Sequence, residues 1–284
     1  MSTILVVFAV LAATTPGLLV SPSELAAALK DPATVVIAAG TSEDDFIAGH
    51  IPGARFVRYS DYAIDADGLT SELPSIDQLR KVMSAAGISD KSKVVIYGSA
   101  IPAARLFFTL DYMGHPSAKL LNGGLNAWKA NGGAIEIAPA PKVAVGTITS
   151  KPQPDRVVSA DWVKERLSSP KMTLLDARPD AEFTGADGGM NGMHVKGHLP
   201  DAHQLVWNSL MDASGKFLPD AELKKKFEAI GADPKTPLVS YCMIGMRASV
   251  TYFVARHLGY DARMYDGSIV DWTRRKLPAV MGRQ

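Results

Sequence analysis

Short apolar runs alternate along this chain with stretches in which apolar residues return every three or four positions. In the second half, residues 172–176, 237–241 and 263–265 read as strands, the first two apolar enough to be buried on both faces. Between them, residues 159–167, 221–229, 247–258 and about 269–274 carry the helical spacing, with Ser159 placed to cap the first of these. The first half repeats the alternation, with strands at residues 35–40 and 93–98. Strands that alternate with helices predict an α/β fold with a parallel sheet flanked by helices. In such a sheet ligands bind beyond the carboxyl ends of the strands.

The two halves are copies. At an offset of 144 residues, Lys93–Gly98 falls on Pro237–Cys242, Tyr97 on Tyr241, Gly123 on Gly267 and Trp128 on Trp272. Upstream, Gly49-His50-Ile51-Pro52-Gly53-Ala54 corresponds to Gly197-His198-Leu199-Pro200-Asp201-Ala202, and Val35–Gly40 to Thr173–Arg178. The offset drifts because the second half carries a glycine-rich insertion at residues 185–195, which reads as a surface loop or a flap over the site. Pro139, Pro141, Pro152 and Pro154 mark a linker at residues 139–155 between a domain at 18–138 and another at 156–284.

Composition narrows the function. The 47% apolar and 21% charged residues suit globular domains with a sizeable core, and a net charge of +1 argues against nucleic acid or an anionic membrane surface as partner. One cysteine in 284 residues excludes an internal disulfide and a multi-cysteine metal site. No apolar run reaches the roughly 18 residues of a spanning helix. Residues 4–13 are uninterruptedly apolar and small residues follow, so residues 1–17 read as a secretory leader without the usual basic start. That reading predicts a periplasmic or secreted protein; without a leader it is cytoplasmic.

The single cysteine, Cys242, stands where a strand ends and a helix is about to begin. A lone cysteine is often an inert small hydrophobe. Here Gly245 allows a tight turn, Arg247 adds a permanent cation, and the amides from Met243 through Arg247 are placed to surround a thiolate.

Taken together, Gly-His-Ile-Pro-Gly-Ala and Gly-His-Leu-Pro-Asp-Ala, the strand end Leu175-Asp176-Ala177-Arg178, the Cys242-x-x-Gly245-x-Arg247 loop and Gly-x-x-x-x-Trp near each domain end make the chain resemble tandem-domain rhodanese sulfurtransferases from Leu18 onward. The resemblance implies two rhodanese-like domains, the first catalytically inactive: Gly98, Ala103 and Gly40 stand where Cys242, Arg247 and Arg178 stand in the second. It implies sulfane sulfur transfer through a Cys242 persulfide, from thiosulfate, mercaptopyruvate or another persulfide source to cyanide or a thiol, a thioredoxin-like reductant among them. No cofactor, metal or stable membrane association is implied. A non-turnover sulfur carrier or redox-sensing module is the alternative. A rhodanese-like phosphatase or arsenate reductase ranks lower, because Cys242-x4-Arg247 is one residue shorter than the oxyanion-binding Cys-x5-Arg loop.

The loop also departs from the family. Met243, Ile244 and Met246 put apolar side chains where thiosulfate-using tandem enzymes carry early basic residues, which favours an organic donor, a lipophilic persulfide or a protein surface. Glu182 occupies a position where tandem enzymes often present a substrate-binding arginine. Four residues apart, Arg178 and Glu182 are spaced to pair, so Arg178 either supports the loop or meets substrate. His50, His198, Trp128 and Trp272 recur in both halves and are expected to serve the fold.

Overall fold

Strands come first because the apolar runs can be buried only with helices on both faces. A computed structural model describes residues 17–168, 172–189 and 195–283. Most of the leader expected at residues 1–17, and residues 190–194 of the expected insertion, lie outside that set. The first half runs β1 (Leu19–Val20), α1 (Pro22–Ala28), β2 (Thr34–Gly40), α2 (Glu43–Ile47), β3 (Arg55–Arg58), β4 (Ile64–Ala66), β5 (Leu69–Glu72), α3 (Ile76–Ala85), β6 (Lys93–Gly98), α4 (Ala100–Tyr112), β7 (Ala118–Leu121) and α5 (Gly124–Ala130). The second runs α6 (Ala160–Lys164), β8 (Thr173–Asp176), α7 (Asp180–Thr184), β9 (Ala202–Gln204), α8 (Asp220–Ala229), β10 (Leu238–Tyr241), α9 (Ala248–His257), β11 (Ala262–Met264) and α10 (Ser268–Arg274).

Both sheets are parallel, ordered β1-β7-β6-β2-β3 and β11-β10-β8-β9, with β4 and β5 forming a separate antiparallel hairpin. Their registers prove the repeat at the residue level. Tyr97 lies opposite Ala38, and Tyr241 opposite Asp176, so Gly40 and Arg178 occupy the same place two residues on. The short strand expected at 263–265 sits one residue earlier, because Ala262 already pairs with Leu238. No helix among the described residues is long and apolar enough to cross a membrane.

The repeated aromatic and histidine positions hold turns, as their recurrence predicts. His50 bonds the Phe46 carbonyl through Nδ1 at 3.0 Å, and His198 the Phe183 carbonyl at 2.9 Å, each ring stacked on that phenylalanine. The Tyr97 and Tyr241 hydroxyls accept from the Ile51 and Leu199 amides. Trp128 and Trp272 donate to the Ala134 and Pro278 carbonyls, both at 2.8 Å. Each bond has its counterpart in the other half, so these residues are framework.

One face of each sheet is covered by a long buried helix, and these two helices, α4 and α9, pack against each other. Phe107 meets Phe253 edge-on at 4.9 Å, and Phe108 meets its repeat equivalent Tyr252 at 5.0 Å. Asp111 of α4 accepts from the Tyr252 hydroxyl and the Arg256 guanidinium of α9. The first half is therefore a packing partner of the helix that follows Cys242, not an appended module. Phe253→Ala removes a fully buried ring from this seam and should cost about 3–5 kcal/mol, read as a lowered urea midpoint.

Candidate active site

Strand β10 delivers Cys242 to the carboxyl edge of the second sheet, where the loop to α9 turns over the cysteine. Gly245 makes that turn at φ 77°, a left-handed conformation costly for other residues. A Cβ there would also lie 2.5 Å from an Asp266 carboxylate oxygen.

The loop is pinned from an unexpected direction. Ser268, at the head of α10, accepts from the Cys242 amide at 3.1 Å and the Gly245 amide at 3.0 Å, and donates to the Tyr265 carbonyl. It is buried and held at φ 53°, which a serine adopts at a cost. The Cys242 and Met243 carbonyls in turn accept from the Ile269 and Val270 amides. Gly245 is thus absent from the expected ring of donors. The amides of Met243, Ile244, Met246, Arg247 and Ala248 donate to no acceptor among the described residues. Five such amides around one turn favour a negative charge there.

Cys242 itself is completely buried. Arg247 and Tyr59, the latter from the first half, are close enough for their charges to respond to it. Reaching the sulfur therefore requires displacement of groups that enclose it.

Several sequence expectations need correction. Met243 and Ile244 do not line an open wall: they are buried with Tyr265, Ile269 and Trp272 in a cluster separate from the one holding Cys242, and partly buried Met246 packs on the same cluster. The Met243 methyl occupies the space a side chain at Gly189 would take, which ties the start of the insertion to the loop. Arg178 does not pair with Glu182. It is fully buried, with Nε and Nη2 on Asp176 and Nη2 also on the Gly197 carbonyl at 2.7 Å. None of these contacts is with the Cys242–Arg247 loop itself. Burial pulls its guanidinium down, but Asp176 outweighs burial and holds it above its ordinary value.

Glu182 instead takes Arg247. Nη1 and Nη2 reach Oε1 and Oε2 at 2.7 and 2.8 Å, with the side chains 12% and 10% exposed. The arginine expected to receive substrate is occupied. Burial again opposes the charge, while the Glu182 bonds and the nearby Cys242 raise the Arg247 value.

A further pair crosses the seam. Arg105 of α4 donates through Nη1 and Nη2 to the Asp266 carboxylate, which also accepts from the Leu73 amide at 3.0 Å. Asp266 precedes Gly267 and Ser268, so the first half steadies the residue that pins the loop. No cluster of three or more histidine, cysteine or acidic side chains suited to a metal occurs among the described residues.

Sequence reasoning missed Ser268, Asp266 and Arg105. The repeat carried a signal for Ser268, because the first half has Gly124 there, at φ 55°. A serine where the backbone suits glycine implies work for its hydroxyl. Nothing local marked Arg105.

The profile of the rhodanese-like domain family matches residues 21–131 and again 159–275. The chain belongs to the rhodanese family. It is 32% identical over 269 residues to a thiosulfate sulfurtransferase of Corynebacterium glutamicum, covering 90% of this chain and 88% of that protein. It is 30% identical to a probable 3-mercaptopyruvate sulfurtransferase of Pseudomonas aeruginosa, over 93% and 98% of the two chains. A sulfur carrier protein of Thermus thermophilus, TtuD, is also 30% identical, over 90% and 94%. Among solved structures, EanB with a cysteine persulfide and ergothioneine is 25% identical, with a TM-score of 0.86, over 94% of this chain and 71% of that one. This rhodanese is a sulfurtransferase, acting between a small-molecule sulfur donor and an acceptor.

Two outcomes follow from the site's support. Ser268→Ala leaves two buried amides without an acceptor, at about 1–3 kcal/mol each, and should lower both the melting temperature and the sulfurtransferase rate. Glu72, at the end of β5, has a buried Oε1 with no partner among the described residues, and burial followed by nearby Asp266 pushes its carboxyl up to about 7. A value raised on folding contributes stability that is complete below the ordinary carboxyl range and is lost as pH climbs through 7. Urea midpoints should fall between about pH 5 and pH 8, and Glu72→Gln should flatten that slope.

Proposed function

We propose that Cys242 carries the sulfur as a persulfide. The Cys242 thiolate attacks the transferable sulfur of the donor, a new S–S bond forms, and the electron pair of the broken bond leaves with sulfite from thiosulfate, with a thiolate from an organic persulfide, or with the pyruvate enolate, then protonated to pyruvate, from mercaptopyruvate. A thiophilic acceptor then removes the outer sulfur and regenerates the thiolate: cyanide departs as thiocyanate, and a thiolate departs as a persulfide. The amides of Met243, Ile244, Met246, Arg247 and Ala248 support this reading: they have no acceptor among the described residues, and an outer sulfur carried on Cys242 would be a candidate acceptor for them. In this reading they stabilise the anionic outer sulfur of the persulfide between the two half-reactions. Thiosulfate, mercaptopyruvate and organic persulfides are the candidate donors, and a thioredoxin-like protein is a candidate acceptor.

A second reading, a sulfur carrier that loads once and discharges only to a dedicated partner, draws support from the complete burial of Cys242. The likeness to the Thermus thermophilus sulfur carrier protein points the same way. Phosphoryl or arsenate chemistry is disfavoured by the four residues between Cys242 and Arg247 and by the engagement of Arg247 with Glu182.

Incubation with a sulfur donor should add about 32 Da, one sulfur, to the peptide bearing Cys242, and Cys242→Ser should take up none and lose sulfurtransferase turnover. Repeated turnover to cyanide supports the enzyme, whereas a stoichiometric load without turnover supports the carrier. Absence of the added sulfur with every donor class overturns both.

A further inference from the structure

Three guanidinium groups border the loop, and a carboxylate of this chain holds each one. Arg105 is held by Asp266, Arg178 by Asp176 and Arg247 by Glu182. The Arg247 pair matters most, because Arg247 is the guanidinium on the loop itself and both terminal nitrogens are committed to Glu182. With Cys242 as a thiolate, the group Cys242, Arg247 and Glu182 carries one net negative charge. A dianion brought there meets like charge in a poorly solvated place. To draw on Arg247 it must pull that side chain from Glu182, whose carboxylate, 10% exposed, would be left without its counter-ion.

We propose that Glu182 is a charge filter, which turns the site away from dianionic donors such as thiosulfate and toward organic persulfides. The inference rests on the sulfur-transfer reading of Cys242. An organic persulfide delivers its outer sulfur to the Cys242 thiolate and leaves as a thiolate, with one S–S bond broken and one formed, and the departing group has no sulfonate to neutralise. A rival cation is Arg178, which keeps a buried Nη1 without a partner among the described residues. Its charge is already matched by Asp176, so it offers a dianion one hydrogen bond and no net charge.

The test measures initial rates of sulfur loading on Cys242, by mass, with thiosulfate and with cysteine persulfide, in wild type, Glu182→Gln and Glu182→Ala. Wild type should favour cysteine persulfide, and Glu182→Gln should raise the thiosulfate-to-persulfide ratio of kcat/KM by about tenfold or more. Glu182→Ala should move that ratio in the same direction, and circular dichroism melts identify a variant that has lost its fold. A wild type that loads equally well from both donors, or a ratio that stays put in both folded variants, overturns the filter and leaves sulfur transfer standing. Failure to load from either donor overturns the sulfur-transfer reading and the filter with it.

Discussion

The site depends on a loop that keeps its own amides unsatisfied. A turn of five peptide N–H groups without protein acceptors would normally collapse onto some carbonyl, because buried donors are rarely left open. Here the turn is held open by the Ser268 hydroxyl, which takes the two amides at Cys242 and Gly245 and fixes the loop's shape. The strain of a serine at φ 53° is the counterpart of that arrangement. Amides held open in this way need no reorganisation when an anion arrives beside them.

Support for that nest runs through both halves of the chain. Asp266, two residues before Ser268, is held by Arg105 from α4, while α4 and α9 share a seam of interlocked aromatic rings. The first half, with Gly98 where Cys242 stands in the second, thus supplies packing and a counter-ion to the surroundings of the loop.

Much of this was readable beforehand. The strand–helix alternation and the copied motifs placed Cys242 at a carboxyl strand end, and the recurrence of His50 with His198 and of Trp128 with Trp272 identified them as framework. Legibility failed where contacts depend on which of several nearby carboxylates an arginine chooses. At four residues' spacing Arg178 and Glu182 looked like partners, yet α7 is only five residues long and directs Glu182 across to Arg247, leaving Arg178 folded back on Asp176. Met243 and Ile244 misled in another way. Being apolar next to the cysteine suggested a pocket lining, whereas both lie in the core beside the sharp turn at Gly245. Arg105, reaching across a seam from a helix far away in sequence, left no local trace.

In the first half the place of Cys242 is closed to a side chain. Gly98, in the place of Cys242, sits at φ 151°, and a Cβ there would lie 2.2 Å from the Ala39 carbonyl oxygen. Any side chain there collides with the neighbouring strand, so a single substitution cannot place a thiol at that position. The difference between the two halves is thus written into backbone shape as well as into side chains.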